Sequence, residues 1–137
     1  MLEQLVAAAM LHLPTSDHVP QPSRSVANRW ADSGVVSIWA GASKHERDVW
    51  RCIRRHESMQ AGHWKASNPR STASGAGQWL DSTWRGVSHW VTWRGQYVAR
   101  GYRRAKDAPP WIQDLTFRHV YKHGGLHMWA GTGCPGT

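Results

Sequence analysis

Acidic residues are scarce in this chain. Nine Asp and Glu stand against 17 Lys and Arg, and the 137 residues carry a formal charge of +8 with His neutral. Such a surface attracts polyanions and speeds their encounter; cell wall bearing teichoic acids, anionic lipid and nucleic acid all meet that description. Nine histidines add charge below about pH 6.5. Cysteine is nearly missing too: Cys52 and Cys134 alone exclude a multiply bridged scaffold, and permit one disulfide without requiring it. No apolar run reaches the ~18 residues of a membrane span. The longest, Leu5 to Leu11, follows Glu3 rather than a basic segment, which makes a poor secretion signal; a short docking helix is the plainer reading. Phenylalanine occurs once, whereas tryptophan occurs ten times. That is more than a core of this size needs. Some indoles are therefore expected to line a groove, where a flat apolar face with one N–H stacks on sugar rings or on nucleobases.

Prolines 14, 20 and 22 sit among Ser, Thr, Asp and Asn with no sustained periodicity. Residues 1–37 thus read as an N-terminal helix and a linker or docking segment, and residues 38–137 as one compact domain. Within it Ser43 and Glu46 form a capping-box pattern, and Val49, Trp50 and Ile53 follow at helical spacing. The predicted helix runs from Lys44 to Glu57. Residues 58–77, rich in Gly, Ser, Asn and Pro, predict a loop with at most a small hairpin. Gln78 to Trp84 opens a second helix with Leu80, Trp84 and Val87 on its buried face. Trp90, Trp93, Tyr97 and Tyr102 suggest helical packing between 85 and 109. A last helix from Pro110 to His123 carries Ile112, Leu115, Val120 and Tyr121, and Gly124-Gly125 stops it. The fold class expected is mainly α with at most a small β-hairpin.

Trp50-x-x-Ile53-x-x-x-Glu57-Ser58, then Trp64, then Gly75-x-x-Gln78-Trp79-x-x-Ser82-Thr83-Trp84 resembles the actinobacterial transglycosylase-like family. That family includes the resuscitation-promoting factors and belongs to the lysozyme superfamily; Trp79 stands where Phe is usual. Towards the C-terminus, Gln113, Gly125-Leu126-His127-Met128-Trp129 and Cys134 follow the same family order. The resemblance covers about residues 46–134. It implies a lysozyme-like domain acting on peptidoglycan, with Glu57 as catalytic acid and no cofactor. It also places Gln78, Thr83 and Gln113 at the border of a glycan groove, their ordinary roles being turn stabilisation, helix capping and an exposed helix face. Trp64 and Trp79 are the indoles assigned to that groove, Trp84 and Trp129 those assigned to the core. In resuscitation-promoting factors a cysteine just before the catalytic Glu bridges to the C-terminal one. The resemblance therefore implies a Cys52–Cys134 bridge, although Cys52 lies five residues before Glu57 rather than one; two free thiols are the alternative.

Cleaving a glycosidic bond requires an acid that is still protonated at working pH. Glu57, at a helix C-terminus where the dipole disfavours negative charge, suits that task, with Trp50 and Ile53 as an apolar wall. The one nearby acid in a motif, Asp81, reads as a helix-start residue. The resemblance implies a single catalytic Glu, and with it a lytic transglycosylase, in which the substrate's own acetamido or 6-hydroxyl group replaces the missing nucleophile, or a muramidase in which water enters. The pairs Cys52 with His56 and His119 with His123 have metal-like spacing but no further ligands in a recognisable pattern, so no metal is expected. No nucleic-acid-reading module is present. The remaining alternative is a non-catalytic wall-binding or structural virion protein. A phage tail or tip, docked through residues 1–37 to other tail proteins, or the secreted cell-wall space, is the expected location.

Overall fold

The computed structural model describes residues 38–59 and 63–137; the expected N-terminal helix and linker lie outside the described residues. The fold is mainly α with a small antiparallel hairpin. Helix α1 spans Lys44–Glu57, α2 spans Asp81–Ser88 and α3 spans Pro110–Lys122, with strands β1 (Thr92–Trp93) and β2 (Gln96–Tyr97) between the last two helices. Short 3₁₀ turns cover His63–Lys65, Ala105–Asp107 and Leu126–Thr132. Among the described residues no helix is long and apolar enough to cross a membrane.

α1 starts where its capping residue places it: Ser43 Oγ accepts from Glu46 N at 3.0 Å. The other half of the expected capping box is corrected. The Glu46 carboxylate accepts from Arg118 Nε at 2.9 Å instead, and both side chains are buried. Arg118 also donates to the carbonyls of Ile38 and Ala40. This charged group thus fastens the turn before α1 onto α3, with its donors matched as a buried ion needs. Val49, Trp50 and Ile53 face the core, and Arg54, Arg55 and His56 in the last turn suit the negative end of the helix dipole.

α3 is the central helix. Pro110 occupies its first turn, His123 caps its end, and the next residue, Gly124, has φ +76°. Trp111, Ile112, Leu115, Phe117 and Val120 are all buried, so core surrounds the helix on most sides. Phe117 stacks on Trp50 at 4.6 Å, which joins α3 to α1. Trp129, on the last 3₁₀ turn, packs against both rings at 6.0 and 6.2 Å.

Two expectations for the middle of the chain are corrected. The segment 85–109 is not helical throughout: Thr92 pairs with Tyr97 and Trp93 with Gln96. Arg94 (φ 53°) and Gly95 (φ 74°) make the turn. Two successive residues with positive φ give the type I′ turn that matches strand twist. The hairpin is therefore here; among the described residues of 58–77 only an isolated bridge joins Ser67 to Ser74, and a second joins Ser74 to Trp79 just beyond. α2 starts at Asp81 rather than Gln78, and Leu80, expected on its buried face, is 48% exposed. The reason is a cap from elsewhere in the chain: Thr72 Oγ1 accepts from Asp81 N at 3.1 Å.

Candidate functional site

Glu57 is the last residue of α1 and is half-buried. Burial holds its carboxyl above the usual glutamate range, with the charge of neighbouring His56 acting against the shift. The backbone beyond it is fixed by Ser58, which is 2% exposed and donates its hydroxyl to Ala76 O at 2.7 Å. The end of α1 and the glycine-rich turn 74–79, eighteen residues further on, therefore meet.

That turn is secured from several directions. Ser74 and Trp79 exchange backbone hydrogen bonds at 2.9 Å, and Gly75 N donates to Ala66 O at 2.8 Å. Ala76 N donates to Gln113 Oε1 at 2.8 Å, and Trp129 Nε1 donates to Gly77 O at 2.8 Å. Gly75 is required on two counts. Its φ is +76°, and a Cβ there would stand 2.7 Å from Gln113 Oε1 and 3.0 Å from Ala105 Cβ. Gly75→Ala is expected to destabilise the domain by about 3 kcal/mol, combining left-handed strain with overpacking. A chemical-denaturation midpoint within error of the wild type would refute that account.

The groove residues named from the sequence divide. Gln78 sits on the turn with φ 50° and donates its amide to Gly75 O at 3.1 Å, half-buried at the outer side. Thr83 is half-buried in the first turn of α2, and the cap position there belongs to Leu80. Trp64 is half-buried, with its ring near Trp50 (6.4 Å) and His63 (4.6 Å). Two assignments are corrected. Gln113 has no exposed surface, and its amide is spent on Ala76 N, Trp64 O and Ala108 O. It positions the turn and does not border solvent. Trp79 is 2% exposed, edge-on to Trp84 (5.7 Å) and Trp129 (4.9 Å), and so belongs to the core. Among the described residues its Nε1 is buried without an acceptor. Trp84 and Trp129 are core, as expected.

Cys52 and Cys134 are joined by a disulfide with Cα atoms 5.8 Å apart. His56 lies close enough to complete a three-ligand cluster with them. A bonded sulfur pair is no thiolate donor set, however. His119 and His123 stack on each other at 4.2 Å. Asp81 accepts from Arg104 Nε at 3.1 Å, a contact that joins α2 to the segment before the second 3₁₀ turn.

Sequence reasoning overlooked Asp114. Its Oδ1 accepts from Trp50 Nε1 at 2.7 Å. Burial pushes the carboxyl up to about 6, against the opposing pull of hydrogen bonds from Trp50 and Trp39 and of the Arg54 charge. The available signal was its spacing from Phe117 and Tyr121, which puts an acid on an aromatic stripe of α3. Because the folded value lies above the ordinary 3.8, the native state holds a proton that the unfolded chain has lost. This contribution therefore weakens folding as pH rises from about 4 to about 6. His63, His89 and His119, all lowered chiefly by burial, act in the opposite direction. The comparison with Asp114→Asn isolates the acid: between pH 4 and 7 the wild type should lose on the order of 2–3 kcal/mol more stability than the variant. Parallel stability curves in urea titrations would contradict this.

Comparison with known proteins finds no matching family model, no matching curated protein and no matching solved structure.

Proposed function

We propose that the protein cleaves the glycan strands of bacterial peptidoglycan between MurNAc and GlcNAc, with Glu57 as the acid. The observation that carries this reading is the half-buried Glu57 carboxyl, raised by burial at the end of α1, one residue before the Ser58 hydroxyl that bonds the 74–79 turn. Its support is chemical. Burial favours the protonated form of Glu57, the form that can deliver a proton to a glycosidic oxygen. Gln78 and Thr83 lie at and just after the turn, and amide and hydroxyl groups suit the donors and acceptors of a sugar.

In this mechanism Glu57 donates its proton to the bridging oxygen as the bond from that oxygen to C1 of MurNAc breaks. The GlcNAc chain leaves as an alcohol, and positive charge spreads over C1 and the ring oxygen. The carboxylate then removes a proton from the nucleophile that closes on C1. An attacking muramyl 6-hydroxyl gives a 1,6-anhydro end, and water gives a reducing end. Asp81 is engaged by Arg104, which supports a reaction with one enzyme carboxyl, and the anhydro product is the preferred outcome.

The test is digestion of purified peptidoglycan by the wild type and by Glu57→Gln, with mass spectrometry of the products. New anhydro-muramyl ends from the wild type alone are expected. Reducing ends would replace transglycosylation with hydrolysis. Equal product from both proteins, or binding without product from either, would end the catalytic assignment.

A further inference from the structure

A recess lies on the α1 stripe that leads to Glu57. It encloses about 300 Å³ and is lined by Trp39, Arg47, Trp50, Arg51, Arg54, Trp64 and Asp114. A volume of that order lies at the small end of ligand pockets. Trp50, Arg54 and Glu57 fall within roughly 60° of one another around the helix, and Arg54 precedes Glu57 by about 4.5 Å of rise.

The recess is built rather than incidental. Its entrance turn is clamped twice, by Arg118 on the carbonyls of Ile38 and Ala40 and by Arg47 on Trp39 O at 3.2 Å. Trp50 is 1% exposed and points its indole N–H at Asp114. The Arg54 guanidinium lies over two indoles, 5.1 Å from the Trp64 ring and 5.7 Å from the Trp50 ring. One of its terminal nitrogens meets His63 Nε2 at 3.1 Å, and its Nε is buried without an acceptor among the described residues. Three guanidinium groups and one carboxylate line the recess, and Arg51 also faces the Asp48 carboxylate at 3.7 Å, which leaves net positive charge beside aromatic faces.

Those features describe a ligand. Indole faces stack on the C–H face of a pyranose. A carboxylate has about four acceptor sites, so Asp114 can meet sugar hydroxyls beyond its indole contacts. Surplus guanidinium matches a carboxylate on the ligand, the geometry in which Arg binds best. We infer that this recess is a subsite for a pyranose bearing a carboxylate, seated between Trp39 and Trp64 with its acid group towards Arg51 and Arg54. The identity of its natural sugar, a carboxylated residue of the wall glycan such as muramic acid free of its stem peptide, rests on the proposed function. The recess and its charge do not.

The experiment uses the full chain carrying Glu57→Gln, so that binding is read without turnover. Indole N–H resonances in a two-dimensional nitrogen–proton spectrum are followed during titration with N-acetylmuramic acid, N-acetylglucosamine or acetate. The expected result is a saturable shift of the Trp39, Trp50 and Trp64 signals with N-acetylmuramic acid, roughly five- to tenfold weaker binding of the neutral sugar, and no saturation with acetate. Adding Arg51→Ala, which removes an exposed side chain, should weaken N-acetylmuramic acid by a similar factor. Adding Asp114→Asn should weaken both sugars, and the thermal midpoint of each variant checks that the recess is folded. Equal binding of the two sugars, stationary indole signals, or affinity unchanged by Arg51→Ala in a folded protein would overturn the proposal. Saturable binding by a protein whose parent leaves peptidoglycan intact would sink the proposed function and keep the subsite. Cleavage with stationary indoles would do the reverse.

Discussion

Glu57→Gln is expected to lower the turnover rate on peptidoglycan by roughly 10²–10⁴, the range for removing a positioned acid, and to leave KM nearly unchanged. Gln keeps the size of the side chain and loses the proton to be transferred, so substrate contacts survive while the bond-breaking step suffers. The fold should not suffer either. Burial disfavours the charged form of Glu57, so a neutral amide there is expected to raise the unfolding midpoint at neutral pH or leave it unchanged. Loss of activity with loss of stability would point to a structural role instead. The pH profile supplies an independent check. Activity needs the protonated acid, and burial extends that form above the usual glutamate range. The alkaline limb of turnover should therefore lie higher than an exposed glutamate would give. His56 is the charge that opposes the shift, so His56→Ala should move this limb further up. A limb that stays in place in that variant would remove His56 from the account, and one in the ordinary glutamate range would remove the burial argument.

The helices were legible because their signals are local. Ser43 and the spacing of Val49, Trp50 and Ile53 fix α1 to the residue, and Pro110 and Gly124 bracket α3. The hairpin was misread because its evidence is two backbone angles. Arg94-Gly95 is a less familiar turn pair than Asn-Gly, and the aromatic residues around it serve a strand as well as a helix. α2 begins late because its first N–H is capped by Thr72, nine residues away, a contact that no window along the chain reveals.

The site was partly legible for the same reason. The resemblance named Glu57, Ser58 and Gly75, with Gln78 and Trp79 read as the start of a helix rather than as part of the turn, and Ser58 and Ala76 do meet. Gln113 was named too, but sequence could not tell a groove contact from a buried amide. That distinction depends on what lies opposite α3, here Ala76, Trp64 and Ala108. The half-buried Asp114 and the buried Glu46–Arg118 pair stayed hidden because such charges are set by long-range partners, 64 and 72 residues away. Patterning rules place such residues on the surface by default.

Breaking the Cys52–Cys134 bridge should have the largest effect on stability of any change considered. The bridge closes a separation of 82 residues, and chain entropy at that length corresponds to about 4.5 kcal/mol. A domain of this size has only about 5–15 kcal/mol in total, so the reduced protein should lie near the threshold of folding. The consequence is local as well as global. Cys52 lies on α1 five residues before Glu57, and Cys134 follows the 3₁₀ turn whose Trp129 indole supports Gly77. The bridge therefore holds together two of the segments that frame the 74–79 turn. Cys52→Ser with Cys134→Ser, or treatment with a reductant, is expected to lower the melting temperature by roughly 20 °C, and to cost wall cleavage at temperatures where the oxidised protein is active. Two titratable thiols in the native, unreduced protein would show that the bridge is not formed. An unchanged midpoint after complete reduction would show instead that the packing of Trp50, Phe117 and Trp129 alone holds α1 against the C-terminal turn.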